Sequence, residues 1–385
     1  MRLLFVHRSL GKGGITSVII DKMNYLAVNS YFEIHFLSEE KNNTNLEARL
    51  HKSIQLHCLD FENLYPKNRP RLIVVDALIL RIKAKKLMQN SIEAINPDII
   101  SSLDDLISRE LIPLIKTRAI KVVEFHDSIY LNHKNRSQIT KFILRIHPIT
   151  LIYGNKKKIH NKYDYAVALT NEDLEDRNYL KIKKKQIYNS YAKPENVSQF
   201  NKRDNIIIAV GSLIPRKNFM DLLAAINLIK HQIGSWKICI YGEGEQKIFL
   251  NQKIIDYGLS EIVYLKGFVY NIEDLYNNSK ILISTSLSEG FGLNIMEALF
   301  FQIPVVSYNC KCGPKEIISD NVNGFLIDFE VKKLAERILK LISNPELLNQ
   351  FSENTSIDLH KFQKENIMNE WIDFYNYLSV KKGLR

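Results

Sequence analysis

Two carboxylates eight residues apart, Glu289 and Glu297, frame the segment Ser286–Leu299, SLSEGFGLNIMEAL. The segment follows a continuous apolar run and opens an amphipathic helix. It therefore belongs at the carboxyl end of a parallel strand, where α/β folds place ligands. Gly290 and Gly292 allow close approach of a ligand to the backbone. The N–H groups of Phe291, Gly292 and Leu293 lie near a helix N-terminus, suited to an anionic or oxygen-rich group. Glu289 sits at the mouth of this turn and Glu297 about two turns into the helix. Carboxylates accept hydrogen bonds from vicinal hydroxyls, so the pattern suits a sugar. A helix cap plus one surface glutamate would explain the glycines and one acid, but not both acids.

Cations accompany these acids. In Gly211–Phe219, GSLIPRKNF, Gly211 turns the chain and Arg216 and Lys217 precede a helix start. Positive charge is disfavoured there by the helix dipole, so the pair suits a pyrophosphate; alone, an Arg-Lys loop is usually just solvated. Tyr241–Glu245, YGEGE, is a second glycine-rich turn, with Gly242 after a strand. Cys312–Ile318, CGPKEII, places Pro314 to start a short helix. In the first half, Gly11, Gly13 and Gly14 form GKGG between a strand and a helix, a loop able to admit phosphate through backbone N–H groups. Thr16 occupies the third glycine position of G-x-G-x-x-G, so the dinucleotide fingerprint is incomplete. The run KVVEF leads into His126 and Asp127, which places a titratable ring at a strand's carboxyl end.

These residues need two frameworks. A chain of 385 residues suggests two domains of ordinary globular composition. Strands and helices alternate throughout, the pattern of α/β units with parallel sheets. First-half strands are expected at 3–7, 33–37, 98–102, 121–125 and 165–169, with helices over 15–28 and 71–95. Second-half strands are expected at 205–210, 236–241, 262–265, 280–285, 303–307 and 325–327. KIKKK and YAKPE interrupt the pattern between Asn178 and Lys202 and mark a boundary. Residues 330–343, 346–360 and 362–379 read as helices. The last carries Trp371, Phe374, Tyr375 and Leu378, an apolar stripe that must pack on something.

Charge is unevenly distributed. Residues 1–190 hold 31 Lys and Arg against 20 Asp and Glu, whereas residues 191–385 hold 22 of each, so the whole +11 lies in the first half. A basic half suggests an anionic partner or simply a solvated surface. Arg81–Lys86 and Lys134–Lys162, the latter with Lys156–Lys158 near Phe142–Ile146, could lie on an anionic membrane. Four cysteines make no disulfide framework, and Cys310 and Cys312 lack a second Cys/His pair at zinc spacing. No Asp-x-Asp pair stands near a strand end; Asp104 and Asp105 are adjacent. MRLLFVHRSL reads as a first strand rather than a signal peptide. No stretch approaches the ~18 apolar residues of a membrane span. The cytoplasm follows as the expected compartment.

Taken in order, G-x5-K-N, G-x-G, E-G-F-G-x4-E and G-P-x-E-I-I over about Asn205–Ile327 resemble the retaining GT-B glycosyltransferases of family 4, of the bacterial surface-polysaccharide type. The resemblance is weaker across the first half. It implies an α/β GT-B fold of two Rossmann-like domains facing a central cleft: 1–190 on the acceptor side, 191–361 holding the nucleotide-sugar, and 362–385 a helix crossing back to the first domain. It further implies Glu297 on the donor ribose, Glu289 on the transferred sugar, and Phe291, Gly292 and Leu293 facing sugar and phosphate. Lys217 matches the pyrophosphate lysine, Gly211 and Gly242 line the donor site, and Gly13 and Gly14 approach the donor from the first domain. His126 matches the histidine beside the anomeric centre. The family's usual arginine after Gly211 is Ser212 here, with Arg216 as a candidate replacement. The implied reaction retains anomeric configuration without a metal, another cofactor or a protein nucleophile. The donor is a nucleotide-sugar, UDP being the commonest nucleotide. The acceptor is a glycan or lipid-linked saccharide, and the protein works in the cytoplasm, peripheral on the inner face of the cell membrane.

Three other readings compete. GKGG with Glu39 and Glu40 after the second strand suggests an NAD-dependent oxidoreductase, against which Thr16 counts. A sugar-nucleotide epimerase shares the fold. Lys156–Lys158 and Lys183–Lys185 suggest a basic membrane- or nucleic-acid-binding protein, but no nucleic-acid motif accompanies them.

Overall fold

In the computed structural model, strand β1 (Arg2–His7) is buried on both faces and its residues divide between two cores. Leu3 and Phe5 pack with Ile19 and Met23 of the helix Gly14–Asn29. Leu4 and Val6 point the other way, onto Ala84, Met88 and Ile92 of the helix Val74–Ile95. Burial on both faces is why β1 reads as an unbroken apolar run rather than an alternating one. The structure describes residues 1–11, 13–61, 74–104, 107–128, 156–269 and 271–383, without the side chains of 74–78 and 156–157. Lys12, Asp105, residues 71–73 of the expected second helix and most of Lys134–Lys162 therefore lie outside the described residues.

The chain divides into two compact units, Met1–Tyr188 with Ile367–Arg385, and Asn189–Asn366. In the first, β1, β2 (Glu33–Ser38), β3 (Gln55–Cys58), β4 (Ile99–Leu103), β5 (Ile120–Phe125), β6 (Tyr165–Ala168) and β7 (Lys183–Gln186) form one sheet in the order β3-β2-β1-β4-β5-β6-β7. All of its pairings are parallel. In the second, β8 (Ile206–Val210), β9 (Lys237–Tyr241), β10 (Val263–Gly267), β11 (Ile281–Ser284), β12 (Val305–Tyr308) and β13 (Gly324–Ile327) run in the order β10-β9-β8-β11-β12-β13, again all parallel. Both are doubly wound orders. Each reverses direction beside its first strand, between β1 and β4 and between β8 and β11, and opens a crevice at the carboxyl ends there.

Two strands carry no apolar signature in the sequence. β3 and β7 are the edges of the first sheet, and none of their residues is buried. Lys183–Lys185, read from sequence as an interruption or a basic patch, are the body of edge strand β7. Charged side chains on an edge strand oppose pairing with another chain, which accounts for the lysines without a ligand. The expected helix 346–360 ends sooner, at Glu353, and short 3₁₀ turns follow, with Asp358 in the left-handed region at φ 62°.

The helix Lys364–Lys381 brings the apolar stripe to the first unit. Trp371, Phe374, Tyr375 and Leu378 are buried in the same core as Leu3, Phe5 and Ile34. Among the described residues, no helix is long and apolar enough to cross a membrane.

Candidate active site

Strand β8 delivers its chain to Gly211 at the switch point of the second sheet. The Lys217 side chain lies directly over this glycine: a Cβ there would meet Lys217 carbons at 3.0–3.4 Å. A 3₁₀ turn, Pro215–Lys217, ends in left-handed Asn218 and leads into the helix Phe219–Ile229. On the other side of the switch point, β11 runs into Thr285–Gly292 and then the helix Leu293–Phe300, whose N-cap Gly292 has φ 98°.

Hydrogen bonds fasten these two loops to each other. Thr285 Oγ1 donates to the Lys217 carbonyl at 3.0 Å, and Leu287 N–H to the Arg216 carbonyl at 2.9 Å. Arg216 Nη1 donates back to the Ser288 carbonyl at 2.9 Å, and Asn294 Nδ2 to the Val210 carbonyl at 3.0 Å. The loops thus hold their own charged groups in place.

The central carboxylate is Glu289. It is buried, with Oε1 2.6 Å from Lys217 Nζ and Oε2 3.2 Å from Arg216 Nη1. Burial works against its charge, but Lys217 and Arg216 outweigh burial and hold the carboxyl below the usual range. The arrangement is a fixed anion carrying two cations 72 and 73 residues away in sequence. Ser212, where a cation was expected, is exposed; Arg216 brings its charge into the cluster instead.

Glu297 is half-buried on the helix that follows, and its Oε2 accepts from Tyr276 Oη at 2.7 Å. Burial raises its pKa, against the pull of Tyr276 and Lys217. Tyr276 itself is fully buried, stacked on Phe301 at 5.2 Å between centroids. It did not emerge from the sequence because a tyrosine in an ordinary helix carries no motif.

The remaining second-half residues divide by what their backbone does. The Phe291 side chain is core, edge-on to Phe362. The Phe291 carbonyl lies under Gly313, where a Cβ would come within 1.7 Å of it. That contact explains the glycine of G-P-K-E-I-I. Gly242 is pressed equally closely: its Cβ would stand 1.9 Å from the Gly211 carbonyl. Gly211 N–H donates to Tyr241 and Leu213 N–H to Glu243, each at 2.9 Å, so the YGEGE turn braces the Gly211 loop from behind. Leu293 is partly buried at the first position of its helix, whose leading N–H groups have no acceptor within it. Cys310 and Cys312 are both buried, and burial pushes the Cys310 thiol up.

In the first unit, Gly13 caps the helix Gly14–Asn29 with φ 147°, and Gly13 and Gly14 are exposed with open space around the Gly13 Cα. Glu39, the acid that would read a ribose in a dinucleotide-binding protein, is buried and accepts from the Ser108 amide at 2.6 Å. Glu40 pairs with Arg8 at 2.9 Å. These acids are committed to the protein's own groups, which removes the support for the oxidoreductase reading.

His126 is buried just past β5. Its Nε2 is 3.1 Å from Oε2 of Glu124, which is also clasped by Lys22 Nζ at 2.8 and 2.5 Å. Lys22 and Glu124 escaped notice in the sequence although Glu124 interrupts a buried apolar strand, a position at which a carboxylate requires a partner. Gly13, Gly14 and His126 belong to the first unit, and Gly211 through Glu297 to the second.

Residues 192–357 match the family model described as glycosyl transferases group 1. Over that segment, which is less than half of its length, the chain is similar to the group 1 glycosyl transferases. A relative from Staphylococcus aureus (strain COL), poly(ribitol-phosphate) alpha-N-acetylglucosaminyltransferase, is 28% identical over 56% of this chain and 44% of its own length. A poly(glycerol-phosphate) alpha-glucosyltransferase from Bacillus subtilis (strain 168) is 28% identical over 57% of this chain and 35% of its own. The chain thus spans less than half the length of those curated relatives. Among solved structures, Anabaena Alr3699/HepE in complex with UDP aligns over 98% of this chain and 100% of its own, with 18% identity and a TM-score of 0.75. The two parallel Rossmann-like sheets are those of the GT-B fold.

Proposed function

We propose that this protein transfers a sugar from a nucleotide-sugar, in the first instance a UDP-sugar, to a glycan or lipid-linked saccharide in bacterial surface-polymer synthesis, with retention at the anomeric carbon. The observation that carries the reading is Glu289, held between Lys217 and Arg216 at the switch point of the second sheet. Two cations beside a helix N-terminus stabilise negative charge developing on a leaving pyrophosphate. Glu289 and Glu297 are acceptors for hydroxyls of the transferred sugar and of the ribose. Gly211, Gly242, Phe291, Gly292 and Leu293 supply the backbone of the donor site, and Gly13, Gly14 and His126 the contribution of residues 1–190. In this reading residues 1–190 receive the acceptor, 191–361 bind the donor, and 362–385 return to the first domain. UDP in the Anabaena structure and the phosphate-polymer acceptors in the two relatives' names support the donor and acceptor classes.

A cytoplasmic protein resting on the inner face of the membrane fits one surface. The helix Val74–Ile95 exposes Ile79, Ile82 and Leu87 together with Lys83, Lys85 and Lys86. Exposed apolar side chains between lysines suit an anionic bilayer.

A panel of UDP- and GDP-sugars, with nucleotide release measured with and without lipid-linked acceptors, tests the proposal. Acceptor-dependent release from one donor is expected. No release from any donor, together with thermal protection by NAD, would sink it.

A further inference from the structure

Beneath His126 lies an ion pair whose presence stability alone does not explain. Lys22 and Glu124, from a helix and a strand 102 residues apart, are almost wholly buried. Lys22 Nζ stands 3.8 Å from the centroid of Trp371 and 5.1 Å from that of Phe5. Glu124 also accepts from Ser101 Oγ, which in turn accepts from Tyr375 Oη at 3.2 Å. Burying such a pair gives no more stability than well-packed apolar residues of the same volume, so its retention calls for another reason.

The geometry supplies one. With Lys22 against it, Glu124 remains ionised: burial pushes its carboxyl up, but Lys22 and His126 bring it down to about 2. An ionised carboxylate only accepts, so His126 Nε2 must donate to it. A neutral ring with its proton on Nε2 carries a bare lone pair on Nδ1. Nδ1 of His126 is buried and has no hydrogen-bond partner among the described residues. A buried polar atom in that state is costly unless something comes to meet it.

We propose that Lys22 and Glu124 are positioning residues that hold His126 in its Nε2–H tautomer, presenting Nδ1 as the acceptor for a hydroxyl of the bound sugar. The inference rests on the reading of His126 as part of the sugar-transfer site. Ser101, Tyr375 and Trp371 complete the support, so the returning C-terminal helix also braces this histidine. Lys22 carries its charge entirely for Glu124: burial lowers its pKa against the carboxylate's pull.

The test uses the full chain with ¹⁵N-labelled histidine. Long-range ¹H–¹⁵N spectra report which ring nitrogen carries the proton, and the His126 signals are those lost in His126→Gln. Wild type should show a protonated Nε2 and a bare Nδ1. The neutral double variant Lys22→Met/Glu124→Gln, which leaves no buried charge unpaired, should lose this single tautomer. Its kcat should fall about tenfold, as for one lost hydrogen bond, at unchanged UDP affinity. If that variant does not fold, Glu124→Asp keeps Lys22 neutralised while drawing the carboxylate back, and should lower kcat severalfold. A protonated Nδ1 in wild type overturns the positioning inference. A bare Nδ1 with full kcat in His126→Gln instead overturns the role of His126 itself, and the spectra tell the two failures apart.

Discussion

Replacing Glu289 by Gln should make the protein bind UDP more tightly while making it a worse catalyst. The carboxylate holds both cations that the proposed function assigns to the pyrophosphate, at 2.6 Å from Lys217 and 3.2 Å from Arg216. A phosphate oxygen taking its own hydrogen bond from Lys217 would lie about 5 Å from that carboxylate. Two unit charges at ~5 Å, with an effective dielectric near ~20, repel by about 3 kcal/mol. Lys217 and Arg216 retain 13% and 21% of their side-chain exposure, so solvent screens part of this repulsion. Half the value, about 1.5 kcal/mol, is a reasonable expectation, equivalent to roughly tenfold in Kd. Glutamine keeps the shape and removes the charge. Titration calorimetry with UDP at neutral pH reads the effect. There the wild-type carboxyl is fully ionised, because Lys217 and Arg216 outweigh burial and hold its pKa below the usual range. Its contribution to stability is accordingly present above the ordinary carboxylate pKa and is lost as pH falls through the depressed one. The variant should lack that acid-side loss. Turnover should fall by roughly a hundredfold, since in the proposed site the charge-assisted hydrogen bonds from Glu289 to the sugar, which strengthen in the transition state, are weakened. Equal or weaker UDP binding in a folded Glu289→Gln protein would refute the idea that Glu289 competes with phosphate for its cations.

Four further outcomes are expected. Glu297→Ala should raise the Kd for UDP by roughly tenfold to a hundredfold, the loss of one charge-assisted hydrogen bond, and Tyr276→Phe, which frees Glu297 Oε2, should have a smaller effect in the same titration; unchanged affinity in Glu297→Ala removes that residue from the site. Gly313→Ala should destabilise the second unit by about 3 kcal/mol, lowering Tm by roughly 6–12 °C in calorimetry, because a Cβ would lie 1.7 Å from the Phe291 carbonyl. Activity should survive EDTA, since the proposed site gives the pyrophosphate's charge to Lys217 and Arg216; abolition by chelator with recovery on adding Mg²⁺ or Mn²⁺ would contradict that chemistry. Cosedimentation with anionic liposomes should occur at low salt and weaken both as salt rises and in Lys83→Glu/Lys85→Glu/Lys86→Glu, with UDP affinity intact.

What the sequence by itself determined follows from local rules. Apolar runs such as NIIIAV and KILIST are strands because both their faces are buried, and that requirement is written in every residue. The turn E-G-F-G before an amphipathic helix is equally local, as is the glycine-rich turn at Gly242. The resemblance to the family was legible for the same reason: the motifs keep their order between Gly211 and Ile318. The edge strands β3 and β7 were not legible, since an edge needs few apolar residues and is protected by polar ones. Tertiary structure alone decided which charges meet. Lys217 and Arg216 could have been solvated cations; the switch point between β8 and β11 sets them on Glu289. Glu39 and Glu40 could have faced a ribose; the fold gives them to Ser108 and Arg8. Lys22 and Glu124 looked unremarkable in sequence, and only the packing of a helix on β5 under Trp371 and Tyr375 makes them a buried pair beneath His126. Electrostatic pairing acts through space over a few ångströms, whereas these partners lie 32 to 102 residues apart along the chain, so no local pattern could have recorded them.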